Sequence, residues 1–474
     1  MGNNGPEPLV FGTDGWRDLI AGRFTFSNVA RAAQGYADAL LAAGGRTVLV
    51  GHDTRFLGPE FAGTVASVLA ANGLDVRLSS SFLPTPALSF AVQHYGADGG
   101  VMLTASHNPH GWQGFKLKGS YGGSATDALY GDVAARVAEI RTEDVKQAET
   151  EVATFDIAAA YFSWLNNRLD LAALEEASGL VIHDAMGGAA AGWLAGWARQ
   201  TRIPVTIAEF RDRPDPYFHG VNPEPIAENL QEAMEVAWEN GPLFLTATDG
   251  DGDRLGVVLP DGSFFNSHQI FAVLLRHLHG RGLRGRVIKT VTVSRIIERL
   301  AAHLGLETTE TPVGFKHIVT EMLKGDVLIG GEESGGIGTA GHIPERDGIL
   351  NSLLLLEAVA LSGKSLAEQF REIEEETGWS HAYGRKDLRL EDDRQSRAVL
   401  QALAADPARF AGRAVTSVER RDGVKLNLDG GAWLLFRGSG TEPVLRVYCE
   451  AQTEEEVAEL LDGALTWTAG VQSA

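Results

Sequence analysis

Residues 243–254 read LFLTATDGDGDR. An apolar run, 243–247, gives way to three carboxylates, Asp249, Asp251 and Asp253, that alternate with glycine and end on Arg254. A short apolar run bounded by turn residues reads as a buried strand. A polar loop at the end of such a strand is where an α/β sheet carries its reactive groups. The arrangement recurs: residues 99–103 lead into Thr104-Ala105-Ser106-His107-Asn108-Pro109, and 327–329 into Gly330-Gly331-Glu332-Glu333-Ser334-Gly335-Gly336.

Helical spacing separates these strands. It predicts helices over 27–43, 59–71, 84–95, 155–169, 189–198, 267–278 and 294–304, with Ser27 as the first N-cap. Further strands are expected over 46–51, 74–78, 179–183 and 286–290. The rounds are of similar length, so the expected fold is three related α/β domains with mixed sheets. Residues 415–436 alternate instead as hairpin strands around Asp422-Gly423 and Asp429-Gly430, before a closing helix at 453–465. That predicts a smaller C-terminal α+β domain. The expected boundaries are 1–150, 151–260, 261–375 and 376–474.

Composition narrows the function. Hydrophobic residues make up 44% and charged residues 22% of 474, which excludes whole-chain disorder. The formal charge of −21 and the lack of a Lys/Arg block argue against a nucleic-acid partner. An acidic average still permits a local cationic pocket. The single cysteine, Cys449, allows no intrachain disulfide and suits a reducing compartment. The opening MGNNGPEP lacks a secretory apolar core, and the longest apolar stretch, 349–361, is interrupted and too short to span a bilayer. The expectation is a cytoplasmic protein without a membrane partner, monomeric or homodimeric. Glycine, 56 residues, is in excess, and the glycines that carry a chemical reading lie in short loops such as those above.

Each loop has a chemistry and a plainer alternative. Closely spaced carboxylates repel unless a hard cation such as Mg²⁺ neutralises them, although a solvated acidic turn would also read DGDGDR. An EF-hand is excluded by register, with Arg254 and Pro260 where glycine and glutamate are required. Arg254 would stand beside the ion to hold a phosphate oxygen. Ser106 is a candidate nucleophile or phosphate carrier, or simply a turn former. Lys116 and Lys118 are cationic candidates or solvated strand lysines. Glu332 and Ser334 suit sugar hydroxyls, or belong to a flexible acidic loop. Arg437-Gly438-Ser439-Gly440-Thr441-Glu442-Pro443, with Arg446 beyond, reads as an anion nest or a hairpin turn.

Taken in order, FGTDGWR (11–17), TASHNP, DGDGDR, GEESGG and RGSGTEP resemble the motifs of the α-D-phosphohexomutase family, which contains phosphoglucomutase and phosphomannomutase. The resemblance implies four domains around a central cleft, bearing in turn a phosphoserine, a metal, the sugar and a phosphate. It implies that Ser106 carries the phosphate and binds one Mg²⁺ with Asp249, Asp251 and Asp253. It places Glu332 and Ser334 on the sugar. Arg437, Ser439, Gly440, Thr441 and, less directly, Arg446 fall on the substrate phosphate. Arg17 falls beside the phosphoserine, Lys116 on proton transfer and Lys316 on the substrate.

The implied reaction interconverts hexose 1-phosphate and hexose 6-phosphate through a hexose 1,6-bisphosphate. Lys116 is the expected general base if its pKa falls towards neutral, with His107 as alternative; Arg254 and Arg17 share the charge of the transferring group. GEESGG followed by Glu345-Arg346-Asp347-Gly348 is more similar to phosphoglucomutases than to GEMSGH-type bifunctional mutases, which have histidine where this chain has Gly336. Phosphoglucomutase is therefore expected first, with phosphomannomutase or phosphoglucosamine mutase as alternatives. A hydrolase and an inert sugar-phosphate binding protein are more remote.

Overall fold

Apolar strands alternating with amphipathic helices build two mixed sheets within the first of two compact units, residues 1–285 with 314–369. The computed structural model describes residues 8–12, 14–147, 151–390, 393–403, 407–438 and 444–472. The first sheet runs in the order Phe11–Gly12, Gly15–Leu19, Trp112–Gly119, Gly99–Leu103, Thr47–His52, Asp75–Ser79 and Ala153–Phe155. Thr47–His52 pairs in parallel with Gly99–Leu103 and Asp75–Ser79, and Trp112–Gly119 returns antiparallel beside Gly99–Leu103. The central strands read as unbroken apolar runs because both faces are covered. Val48, Val50, Val101, Leu103, Phe115 and Leu117 share one core with Tyr36, Phe61 and Val65.

The second sheet orders Thr206–Phe210, Leu180–Asp184, Phe244–Thr248, Leu255–Val258 and Phe264–Phe265. The first three strands are parallel and Leu255–Val258 is antiparallel to Phe244–Thr248, so DGDGDR is the connection between two paired strands. The same unit holds the hairpin Val327–Gly331 and Ile337–Thr339, whose turn is the GEESGG segment.

Three expectations shift. The first helix is Phe26–Ala42, capped by Thr25, whose hydroxyl accepts from the Asn28 N–H; Ser27 lies inside the first turn. Phe155 ends a strand of the first sheet, and the helix expected from 155 begins at Ala158. The helix expected over 189–198 is Trp193–Thr201, because Gly187, Gly188 and Gly192 make the preceding segment a turn. The apolar stretch 349–361 forms the buried helix Gly348–Ser362, capped by Asp347, which accepts from the Ile349 and Leu350 N–H groups. Among the described residues no single helix is long and apolar enough to cross a membrane.

The second unit comprises residues 286–313 and 370–474. Arg286–Thr290 and Thr308–Thr311 pair in parallel. The C-terminal part is an antiparallel sheet in the order Ala382–Arg389, Val444–Ala451, Trp433–Gly438, Val424–Leu428, Arg413–Glu419 and Arg409–Phe410. The helix Glu454–Gln472 lies along it. The strand and helix pattern expected for the last hundred residues is present.

Candidate active site

Backbone constraint brings the loops of the first unit together. Gly250 and Gly252 let the acidic loop turn. Gly252 has φ +74°, and a Cβ on Gly250 would stand 2.6 Å from the Ser106 carbonyl. Backbone hydrogen bonds then anchor it, among them Thr85 N–H to Asp251 O (2.8 Å), Ala189 N–H to Gly250 O (3.0 Å), Gly348 N–H to Gly252 O (3.1 Å) and Leu255 N–H to Gly335 O (3.1 Å). As a result Asp249, Asp251 and Asp253 are fully buried and present carboxylate oxygens within 4.8 Å of one another.

Ser106 stands beside this triad. It is fully buried, holds a left-handed φ of +53° and donates its hydroxyl to Asp249 Oδ2 at 2.8 Å. His107 Nδ1 lies 3.5 Å from the same hydroxyl oxygen. Lys116 and Lys118, two residues apart on Trp112–Gly119, are both fully buried, so the reading of solvated strand lysines is overturned. Lys116 Nζ contacts Asp251 at 2.8 Å, Asp14 at 3.0 Å and Asp253 at 3.5 Å. Lys118 pairs with Glu345. Arg17 donates to Asn108 Oδ1 (2.8 Å) and Asp14 (3.3 Å), and Arg254 Nε lies 3.8 Å from Asp249.

Two members of this cluster had no role assigned from sequence. Asp14 lies inside FGTDGWR and Arg346 inside PERDG, but nothing in their spacing signals that they meet. Arg346 contacts Asp253 at 2.7 Å, Asp14 at 3.0 Å and Glu332 at 3.8 Å. Its Cδ lies 2.3 Å from where a Cβ on Gly336 would stand, so that glycine leaves room for the arginine and for no side chain of its own. Glu332 accepts the Gly314 N–H at 2.8 Å. Ser334 is half-buried in the same turn. Lys316, in the first turn of Phe315–Met322, pairs with Asp127.

Carboxylates outnumber the cations they contact: Arg17, Lys116, Arg254 and Arg346 meet Asp14, Glu224, Asp249, Asp251, Asp253, Glu332 and Glu345. Burial and the neighbouring aspartates push Asp249 well up. Burial pushes Asp253 up too, and Asp251 adds to it. Burial opposes ionisation of Asp251 and Asp14 as well, but Lys116, Arg346 and other cations outweigh it and hold both low. Burial would lower Lys116, yet Asp14, Asp251 and Asp253 outweigh it and hold the ammonium protonated. The condition set for Lys116 as a base, a pKa falling towards neutral, is not met by this arrangement. Asp251 Oδ1 and Asp253 Oδ1 are buried without a hydrogen-bond partner. Costly orphan acceptors converging with a third carboxylate fit an oxygen-loving divalent cation.

In the second unit, Arg437 and Arg446 lie directly opposite each other on adjacent strands. Arg437 donates to Asp422 at 2.9 Å, and Arg446 Nε stands 3.5 Å from Asp387. Ser439, Gly440 and Thr441 lie outside the described residues.

A mixed α/β chain with a buried serine, an acidic triad and surrounding cations has the features of a phosphoryl-transfer enzyme. Family models match in order: phosphoglucomutase/phosphomannomutase α/β/α domain I at residues 8–144, domain II at 159–262, domain III at 266–376 and the C-terminal domain at 387–465. The chain belongs to the α-D-phosphohexomutase family. It is 32% identical over 421 residues to a phosphoglucomutase/phosphomannomutase of Thermococcus kodakarensis, covering 88% of each chain. It is 30% identical to a phosphoglucosamine mutase of Thermobifida fusca, covering 96% of each. A crystal structure of a phosphomannomutase candidate from Thermus thermophilus superposes with a TM-score of 0.89 at 46% identity, over 98% of this chain and 99% of that one. An open-form phosphoglucomutase, parafusin, from Paramecium has a TM-score of 0.81 at 21% identity, over 98% and 96%. The protein is thus a phosphohexomutase, of a Mg²⁺-dependent family whose metal the aspartate triad fits.

Proposed function

We propose that this phosphohexomutase acts first on glucose phosphates, through a phosphoserine at Ser106. The observation that carries the reading is the Ser106 hydroxyl, 2.8 Å from a buried acidic triad and ringed by cations. Phospho-Ser106 donates its phosphoryl group to the free hydroxyl of a hexose phosphate and forms a hexose 1,6-bisphosphate. A distant relative, a substituted N-acetylphosphoglucosamine mutase of Aspergillus fumigatus, is described in complex with glucose 1,6-bisphosphate. The bisphosphate turns over, and its other phosphoryl group returns to Ser106.

Asp249, Asp251 and Asp253, with phospho-Ser106, would hold Mg²⁺. When bound, the ion neutralises charge on the transferring group, the main electrostatic requirement of phosphoryl transfer. Arg17 and Arg254 bind phosphoryl oxygens. Lys116 is protonated as the sugar oxygen leaves, so it acts as general acid when Ser106 takes a phosphoryl group. Microscopic reversibility makes the same nitrogen the proton acceptor in the opposite half-reaction, with His107 as the alternative. Glu332, Ser334 and Lys316 take sugar contacts. Arg437, Ser439, Gly440 and Thr441, with Arg446, take the idle phosphate. The enzyme works in the cytoplasm as a monomer or homodimer.

Support for glucose is the GEESGG loop, where the packing of Arg346 on Gly336 excludes the histidine of GEMSGH-type loops. The competing reading, glucosamine, is favoured by the relatives named phosphoglucosamine mutase. Assays on glucose, mannose and glucosamine 1-phosphates side by side, with free phosphate monitored, test the choice. A higher kcat/KM on glucosamine 1-phosphate would overturn it, and steady phosphate release would indicate a hydrolase. Intact-protein mass spectrometry is expected to find phosphate on Ser106, and EDTA is expected to abolish turnover that Mg²⁺ restores.

A further inference from the structure

The serine loop is gripped by a buried arginine that the reaction itself does not use. Arg55 follows the strand Thr47–His52, and its side chain is completely buried. One terminal nitrogen donates to Ser106 O at 2.6 Å and Asn108 O at 2.5 Å. The other donates to Pro109 O at 2.9 Å and Trp112 O at 3.0 Å. Four guanidinium N–H groups thus collect four carbonyls of one loop, while Nε faces Asp53 Oδ2 at 3.2 Å. The guanidinium carbon lies 4.8 Å from the centre of the Phe218 ring.

Asp53 links this grip to the other side of the nucleophile. Its Oδ1 accepts the Arg55 N–H at 2.9 Å, and burial pushes its carboxyl up to about 6 against the opposing pull of Arg55 and the Thr104 hydroxyl. Thr104 Oγ1 in turn accepts the Ser106 N–H at 2.9 Å. The amide of Ser106 is therefore held by Thr104 and its carbonyl by Arg55, with Asp53 joining the two. Ser106 has φ +53°, a conformation that costs an L-residue about 1–2 kcal/mol. Such strain persists only where the surroundings over-determine it, and it clusters where geometry matters to mechanism. Lysine offers a point charge in place of a planar fork, so it cannot span these carbonyls.

We propose that Arg55 is a positioning residue for phosphoryl transfer: with Asp53 and Thr104 it clamps both peptide groups of Ser106 and aims the Oγ at the acidic triad. The inference rests on Ser106 being the phosphate carrier. In the step it serves, the Ser106 Oγ–P bond forms, the sugar O–P bond breaks, and the hydroxyl proton ends on the sugar oxygen. The clamp orients the hydroxyl and touches neither phosphoryl group nor sugar.

The test compares wild type, Arg55→Lys, Arg55→Ala and Thr104→Val, the last removing one hydroxyl while keeping the side-chain shape. Three quantities are measured: kcat and KM on glucose 1-phosphate, the rate at which dephosphorylated Ser106 gains mass from glucose 1,6-bisphosphate, and the folded fraction by circular dichroism. Misplacing a reacting atom by about an ångström costs about 100-fold. Arg55→Lys is expected to lower kcat and Ser106 phosphorylation together by about that factor, with KM changed by less than about threefold. Thr104→Val falls in the same direction, and ethylguanidinium partly restores Arg55→Ala. Folded Arg55→Lys or Thr104→Val proteins that phosphorylate Ser106 at the wild-type rate would overturn the proposal, as would losses that follow only the unfolded fraction. A wild-type protein that never phosphorylates Ser106 overturns the carrier assignment instead.

Discussion

Two regions of this protein gather arginines, and they are built in opposite ways. In the first unit Arg346 is 3% exposed and contacts Asp14, Asp253 and Glu332. In the second, Arg437 and Arg446 are 15% and 31% exposed, face each other across two strands, and among the described residues contact one carboxylate each. The difference follows from dielectric. A buried cation must be matched by nearby anions, or its desolvation outweighs anything it contributes. Near the surface, water screens like charges, so two arginines can face one another. The buried region is thus committed to its geometry when the chain folds, while the half-buried pair keeps charge available for an incoming anion.

That contrast can be broken at several points. The largest effect is expected from Ser106→Ala, which removes the proposed phosphate carrier from the buried cluster. Turnover should fall by at least about 10,000-fold with the fold retained, as for loss of other nucleophiles that act as part of a unit. A mutant with full activity and a native melting curve would remove Ser106 from the mechanism.

Next is the Lys118–Glu345 pair, both side chains fully buried. Lys118→Met alone leaves the buried Glu345 carboxylate with Arg346 at 3.8 Å as its remaining cation and should cost about 3 kcal/mol in urea unfolding. Lys118→Met with Glu345→Leu should regain most of it. A single mutant as stable as wild type would show that this buried charge was not being compensated.

A smaller effect is expected from pH. His183 is fully buried opposite Thr246, and burial lowers its pKa to about 4. The folded state then binds fewer protons than the unfolded one between pH 6.5 and 4. Stability is complete above pH 6.5 and is lost as pH falls through that window, by about 3 kcal/mol. Denaturation at several pH values checks this, and His183→Gln should flatten the slope.

The smallest effects on the fold belong to that half-buried pair. Arg437→Ala and Arg446→Ala should leave stability within about 0.5 kcal/mol. Each should raise KM by about 10- to 100-fold, the worth of a hydrogen bond between charged groups. If KM is unchanged, the pair does not hold the substrate phosphate.

Much of this was legible along the chain. Strand runs such as 99–103 were readable because a strand buried on both faces needs unbroken apolar sequence. The acidic loop was readable because its carboxylates are neighbours in sequence. Helix starts were less so. Thr25 and Ser27 are both good caps, and only the packed structure selects Thr25.

Other parts could not be read this way. Asp14, Arg346 and Arg55 stand in unremarkable turns, and their partners lie far away in sequence: 332 residues separate Arg346 from Asp14, and 51 separate Arg55 from Ser106. The protonated state of Lys116 likewise depends on Asp14 and Asp251, which no local window contains. The sequence by itself determined which residues could carry phosphate, metal and sugar, because those chemistries need particular groups at short spacing. Only the tertiary structure decided which cations face which carboxylates and what holds the serine in its left-handed turn. Charge balance and backbone strain are settled by distance and burial, and these exist only once the loops have met.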